Sequence, residues 1–325
     1  MNAYFMIVLL SFVLFFVVWA LGWLLETLSR FVLSTARNPG SRAWYMLVGP
    51  GVALHESSHA LGCVFTRTKI VEFKPINVTV EKDRIILGYV RYVNPTSSLK
   101  RAVINLAPVA VSLVLLTFFA LAATYLVPGT HLGGQAIDLL YTLIDVKSQP
   151  AVLADWMLPV ELIGGFLYSF LYAFSGLTVI NPLFWIIAFL AMTIMFSNAP
   201  SDVDIRNAKT GLIFIVVFNL IWLCVAYVLP AAGIVLWGLY ELLAVMFALA
   251  LAFAGLGYGF FILVAGLARI KSPLQAIPLI GCLGTGISLS YFAIGTAAFQ
   301  TVVSLGVLVA LMVLLLAIRS TRASA

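Results

Sequence analysis

Long apolar runs alternate along this chain with short polar breaks, and most of the runs have the length of a membrane span. They extend from Tyr4 to about Leu28, Trp44 to Phe65, Ala102 to Val127, Leu158 to Gly176, Pro182 to Phe196, Leu212 to Val228, Ala232 to Leu267, Leu274 to Ile294 and Ala297 to Ile318. A helix rises about 1.5 Å per residue and a bilayer's hydrocarbon core is about 30 Å thick, so about 20 apolar residues cross it. The pattern predicts an all-α polytopic membrane protein with about eight transmembrane helices. The first run is too long for a signal-peptide core and has no basic residues before it, so it reads as a retained span. The run from 232 to 267 exceeds one span, and the expectation there is tilt or a break near Gly255, Gly257 and Gly259. Ser201, with Asp204 three residues later, marks a helix start.

One segment departs from this pattern. Residues 66–99 are rich in Val, Ile and Tyr with charges spaced among them, and Glu81-Lys82-Asp83 forms a polar break. This predicts a β-hairpin, about Val71–Val80 with Arg84–Val93, lying at the membrane face. Gly88 inside a strand allows another backbone to approach closely, and a strand edge beside a reactive centre can receive an extended peptide. Gly88 and Tyr89 are therefore candidate substrate contacts. The segment from Pro128 to Asp155 carries Asp138, Asp145 and Asp155 against one lysine and reads as a loop on the non-cytoplasmic side.

Composition removes the soluble classes. Hydrophobic residues make up 63% of the 325 and charged ones 9%, so a water-soluble fold would expose grease over most of its surface. The net charge of +6 gathers beside the spans, which suits an anionic membrane surface and argues against a nucleic-acid partner. The expected location is a multi-pass position in the cell membrane. Basic stretches flank the 44–65 run on both sides, and both cannot be cytoplasmic if that run crosses fully. A re-entrant hairpin or a partly transverse helix removes the conflict, with residues 66–101 cytoplasmic. Cys63, Cys224 and Cys282 sit in apolar runs without paired spacing and read as packing residues.

The chemistry lies within the second run, where His55-Glu56-Ser57-Ser58-His59 interrupts an otherwise apolar segment. On a helix, histidines at i and i+4 leave one face a turn apart, so both rings reach one tetrahedral metal while Glu56 stands beside it as a general base. Ionisable groups inside a span are costly and are usually kept for function. Gly49, Gly51 and Gly62 around the motif let neighbouring helices approach closely. A catalytic zinc site needs a third protein ligand and an open position. Asp202, Asp204, Glu161, Glu241 and His131 are the candidates, and spacing does not choose among them.

The segment HESSHALG (residues 55–62) on a hydrophobic helix, with an aspartate at a later polar break, resembles the site-2 protease class of intramembrane zinc metalloproteases. The resemblance covers about residues 44–210. It implies one Zn²⁺ per chain held by His55, His59 and a downstream aspartate, with Glu56 as base and membrane-embedded segments of other proteins as substrates. The family's usual Asn-Pro-Asp-Gly is absent. The text Pro200-Ser201-Asp202-Val203-Asp204 is closer to a variant branch reading Pro-Ser-x-x-Asp, which selects Asp204, with Asp202 as the alternative. On this reading residues 1–43 are a first span with its basic loop, 44–210 the metalloprotease core, and 211–325 further spans of unassigned role. A CAAX-type prenyl endopeptidase would need a second glutamate-bearing helix, for which only Glu241 is available. An ion-path transporter would use Glu56, Glu241 and Asp204.

Overall fold

The computed structural model describes residues 3–35, 42–77, 79–81, 84–86, 88–127, 131–146 and 155–324. The elements run α1 (Ala3–Thr35), α2 (Arg42–Phe65), β1 (Ile70–Lys74), β2 (Thr79–Glu81), β3 (Arg84–Ile86), β4 (Tyr89–Tyr92), α3 (Ser98–Leu126), α4 (Leu132–Val146), α5 (Leu158–Ser175), α6 (Pro182–Asn198), α7 (Asp202–Val228), α8 (Pro230–Ala268), α9 (Ala276–Tyr291) and α10 (Ala297–Ser324). Among the described residues, α1, α3, α5, α7, α8 and α10 are long and apolar enough to cross a membrane, and α6 and α9 are shorter apolar helices. The protein is an all-α, multi-pass integral membrane protein carrying a small antiparallel sheet. The motif helix α2 stands outside that group of six because its HESSH turn carries polarity that the others lack. It runs without interruption through Pro50, so it does not form the re-entrant hairpin considered above.

Helix α8 is the axis of the bundle. It packs against α1, α3, α4, α5, α6, α7 and α10, and Phe253 stacks edge-on against Phe170 of α5 at 5.0 Å. The expected break near its glycines does not occur. Gly257 instead sits where α8 crosses α6: a Cβ there would lie 2.7 Å from the backbone N of Met192. In a membrane, helices gain little from excluding lipid and depend on close van der Waals contact, which small residues permit. Gly257→Ala is expected to destabilise the protein by about 1–3 kcal/mol through overpacking against backbone. Gly255→Ala, where nothing lies within 4 Å, is expected to be neutral. Thermal unfolding of the two variants in detergent checks the contrast.

Residues 132–146, expected to be loop, form α4. Leu132, Ala136, Leu139, Leu143 and Val146 are buried at helical spacing against α3, α5 and α8, while Asp138 and Asp145 lie on the exposed face. Residues 128–130 and 147–154 of the same segment lie outside the described residues. Helix α7 runs unbroken from 202 to 228, across residue 210, and α8 packs directly against α6.

The predicted hairpin is present as two short ladders. β1 pairs antiparallel with β4 (Glu72 opposite Arg91, Phe73 opposite Val90, Lys74 opposite Tyr89), and β2 pairs with β3. Pro75 ends β1, since it has no N–H to continue the ladder. Lys82 and Asp83, at the expected turn, lie outside the described residues. One face carries Glu72, Lys74, Tyr89 and Arg91. Glu72 meets the Lys74 ammonium at 2.8 Å and accepts the Tyr89 hydroxyl at 2.7 Å, and these two hydrogen bonds hold its carboxyl below the usual range. Val90 and Tyr92 occupy the opposite face, and β4 packs against α2.

Candidate metal centre

Three helices converge on the two histidines because glycine lets their backbones come close. A Cβ at Gly51 would lie 2.8 Å from the Thr193 carbonyl of α6, and one at Gly62 would lie 2.9 Å from the Ile104 Cα of α3. That proximity brings two backbone carbonyls to the rings. His55 Nδ1 lies 2.8 Å from the Ser197 carbonyl, and His59 Nδ1 lies 2.9 Å from the Ile104 carbonyl. A carbonyl only accepts, so each Nδ1 carries the proton and each neutral imidazole presents a bare Nε2.

Those two Nε2 atoms face each other at 3.0 Å, and Asp204 closes the triangle, with Oδ2 3.4 Å from His55 Nε2 and Oδ1 3.2 Å from His59 Nε2. Two lone pairs and a carboxylate at such distances repel unless a metal cation or a proton sits among them. For zinc ligands at about 2.0–2.1 Å in a tetrahedral arrangement, the ligand atoms lie about 3.3 Å apart, which the three observed separations match. The triad is nearly closed to solvent, and among the described residues it is the one group of His, Cys, Asp and Glu side chains placed to hold a metal ion. The second sphere follows a usual logic, in which an imidazole's other nitrogen donates to an oxygen that orients the ring.

The local sequence around Pro200 explains how Asp204 is aimed. Ser201 is the N-cap of α7 and accepts from the Asp204 N–H at 3.2 Å. In return the Asp204 Oδ2 accepts from the Ser201 N–H at 2.9 Å and from its hydroxyl at 2.6 Å. This capping box fixes the carboxylate at the positive end of a helix and leaves Oδ1 to His59. Ser201→Ala is expected to cost about 1 kcal/mol of stability and to weaken metal affinity about 10–100-fold by loosening a ligand's support. A competition titration with a chelating dye measures the second effect.

Glu56 lies under the sheet. Its carboxylate lies near the Val90 backbone amide, and a Cβ added at Gly88 would lie 3.2 Å from its Cγ and collide with the Pro75 carbonyl. Gly88 is thus a position where backbone must pass close, as its sequence context suggested. Val93 N–H donates to Lys69 O across the ladder at 3.0 Å, so alternation along β4 turns Val90's N–H to the opposite edge, beside α2. Tyr89 is on the charged face, with its hydroxyl on Glu72.

The remaining sequence candidates stay apart from the triad. Glu241 is buried on α8, Glu161 sits in the first turn of α5, and His131 precedes α4 with a left-handed backbone. Asp202 begins α7, and its side chain lies outside the described residues. Cys63 is fully buried one turn beyond His59 as a packing residue.

The structure also adds groups that the motif search did not reach. The carbonyls of Ser197 and Ile104 carry no side-chain signature. Ser197 Oγ and Thr193 Oγ1, one turn apart on α6, are buried without a protein hydrogen-bond partner, an environment that commonly holds water. Tyr92, at the end of β4, lies on the face opposite Glu72, and burial pushes its phenol above the ordinary range. The period-two alternation from Val90 was the available signal for Tyr92. Comparison with protein-family models, with curated proteins and with solved structures gives no match to this chain.

Proposed function

We propose that the chain is an intramembrane zinc metalloprotease, hydrolysing peptide bonds in or near transmembrane segments of membrane-protein substrates. One observation carries the reading: two bare imidazole nitrogens and a carboxylate surround one point in a multi-pass membrane protein, with Glu56 next to His55 on the motif helix. His55, His59 and Asp204 would hold the metal. Zinc in such a site supplies Lewis-acid polarisation of the scissile carbonyl and a water of lowered pKa.

The chain's own residues do the rest. Glu56 accepts a proton from water and passes it to the leaving amine. The outer edge of β4, with Val90's N–H beside Glu56, offers main-chain hydrogen bonds to an extended substrate segment, and extension is needed because a helical peptide bond is shielded by its own hydrogen bonds. The buried hydroxyls of Thr193 and Ser197 give water a polar resting place on the α6 side of His55. An ion path running through Glu241 gains no comparable support, since that carboxylate stands apart from the triad.

The test is reconstitution of the full chain in proteoliposomes with single-span membrane proteins tagged at both ends. Cleavage should vanish on treatment with a chelator and return with added Zn²⁺. Cleavage indifferent to chelation, or no cleavage by protein carrying one metal per chain across a broad panel of such spans, would count against the reading.

A further inference from the structure

Beside the motif helix, the surface of the bundle carries an apolar groove bounded by α2, α3 and α7. Small residues make the space: Gly62 on α2, with Ala102, Ala107 and Ala110 on α3, while Ile215 reaches in from α7. The groove holds about 290 Å³, and no polar or charged side chain lines it. It follows α3 from Leu99 to Val111, a rise of about 18 Å. That is close to the depth of one leaflet, half of a hydrocarbon core about 30 Å thick. Phe65 and Leu99 stand open at one end, 75% and 55% exposed.

Three helices end at that same place, and each brings cations. Arg67 and Lys69 follow α2, Lys100 and Arg101 lie in the first turn of α3, and Arg206 and Lys209 lie in the first turns of α7. The close approach of α3 and α7 fixes the third pair there, since a Cβ at Gly211 would lie 3.1 Å from the Ser98 carbonyl. Among the described residues none of these six joins an ion pair, whereas Lys74 and Arg91 on the sheet both meet Glu72.

An apolar channel one leaflet deep, with uncompensated cations at one end, matches a chain with a negative head. We infer that this groove binds an anionic phospholipid, its acyl chain along Ala102, Ala107 and Ala110 and its phosphate among the six cations. Basic residues held at an anionic surface each strengthen the attraction to it. A zwitterionic lipid fills the groove equally well but brings no net charge to the cations. A substrate helix fits less well, because a full span needs about 30 Å of seat and the groove stops near half of that. The site is separate from the metal triad, and the inference stands whether or not the chain is a protease.

The test is native mass spectrometry of the full chain in detergent, titrated with phosphatidylglycerol or with phosphatidylcholine of the same acyl composition. Wild type is expected to hold one phosphatidylglycerol, with a dissociation constant at least tenfold below that for phosphatidylcholine. Lys100→Gln combined with Lys209→Gln, both exposed, should erase most of that preference. Ala110→Phe, which puts a ring into the groove from an exposed position, should weaken both lipids at least tenfold with the thermal midpoint unchanged.

Wild type that binds the two lipids equally overturns the assignment, as does Ala110→Phe that binds phosphatidylglycerol like wild type. If that variant keeps the lipid yet stops cleavage of tagged single-span proteins, the groove is a substrate seat instead. Should the ring lower the thermal midpoint, the charge variant decides by itself: a preference unchanged from wild type overturns the assignment.

Discussion

Glu56→Gln is expected to lower proteolysis by about 10²–10⁴-fold, the usual contribution of a general base, while the protein stays folded and keeps its metal. The expectation follows from where the side chain sits. Glu56 is not one of the three groups around the common centre, so the amide should leave metal content at the wild-type value. Glutamine keeps the size of the side chain and one carbonyl oxygen beside the Val90 backbone amide. Gly88 fits against the same methylene either way. What glutamine cannot do is take a proton from water. Metal analysis, thermal midpoint and cleavage of tagged single-span substrates in proteoliposomes should be measured on one preparation. Cleavage at the wild-type rate by this variant would remove Glu56 from the chemistry.

Asp204→Ala is expected to take metal content from one per chain to near zero. Two neutral imidazoles on one helix face form an incomplete site, because three protein ligands are the norm for a zinc that keeps an open position. The substitution also removes half of the capping box at the start of α7, so some loss of stability, about 1 kcal/mol, accompanies it. Ser201→Ala separates the two effects, since it removes the cap and leaves the ligand. Asp202→Ala should retain the metal. Elemental analysis of the three purified variants decides the matter. Retention of one metal by Asp204→Ala would mean that the triad is not the metal site.

The elements that were legible in the sequence are those whose signal is local. A span must present continuous apolarity to lipid, so α1, α3, α5, α7, α8 and α10 announce themselves by run length. The helical spacing of His55 and His59 needs no tertiary knowledge, since i and i+4 share a face in any α-helix. The elements misread were those in which a local signal had two meanings. Asp138 and Asp145 made residues 132–146 look like a loop, although the apolar positions between them follow a helical period and are buried. Gly255, Gly257 and Gly259 looked like a hinge in a long run. In the bundle Gly257 is instead the contact point of two helices, and its neighbours face open space. Strand parity also needed the pairing partners: they put Tyr89 on the charged face with Glu72 and Arg91, and Val90 and Tyr92 on the other.

By itself, then, the sequence determined that this is a multi-pass membrane protein carrying two histidines and a glutamate on one helix, with strands following it. These are consequences of composition and of periods shorter than two helical turns. Spacing left the third partner open and the family resemblance pointed to Asp204; the tertiary structure is what brings Asp204 to the histidines and keeps Glu241 apart. It also decided that the Ser197 and Ile104 carbonyls set both tautomers, and that β4 lies over Glu56. The physical reason is range. A ligand 145 residues beyond His59 reaches it only through the crossings of α2 with α3 and α6, and of α3 with α7, and those crossings are set by small residues meeting backbone at Gly51, Gly62 and Gly211.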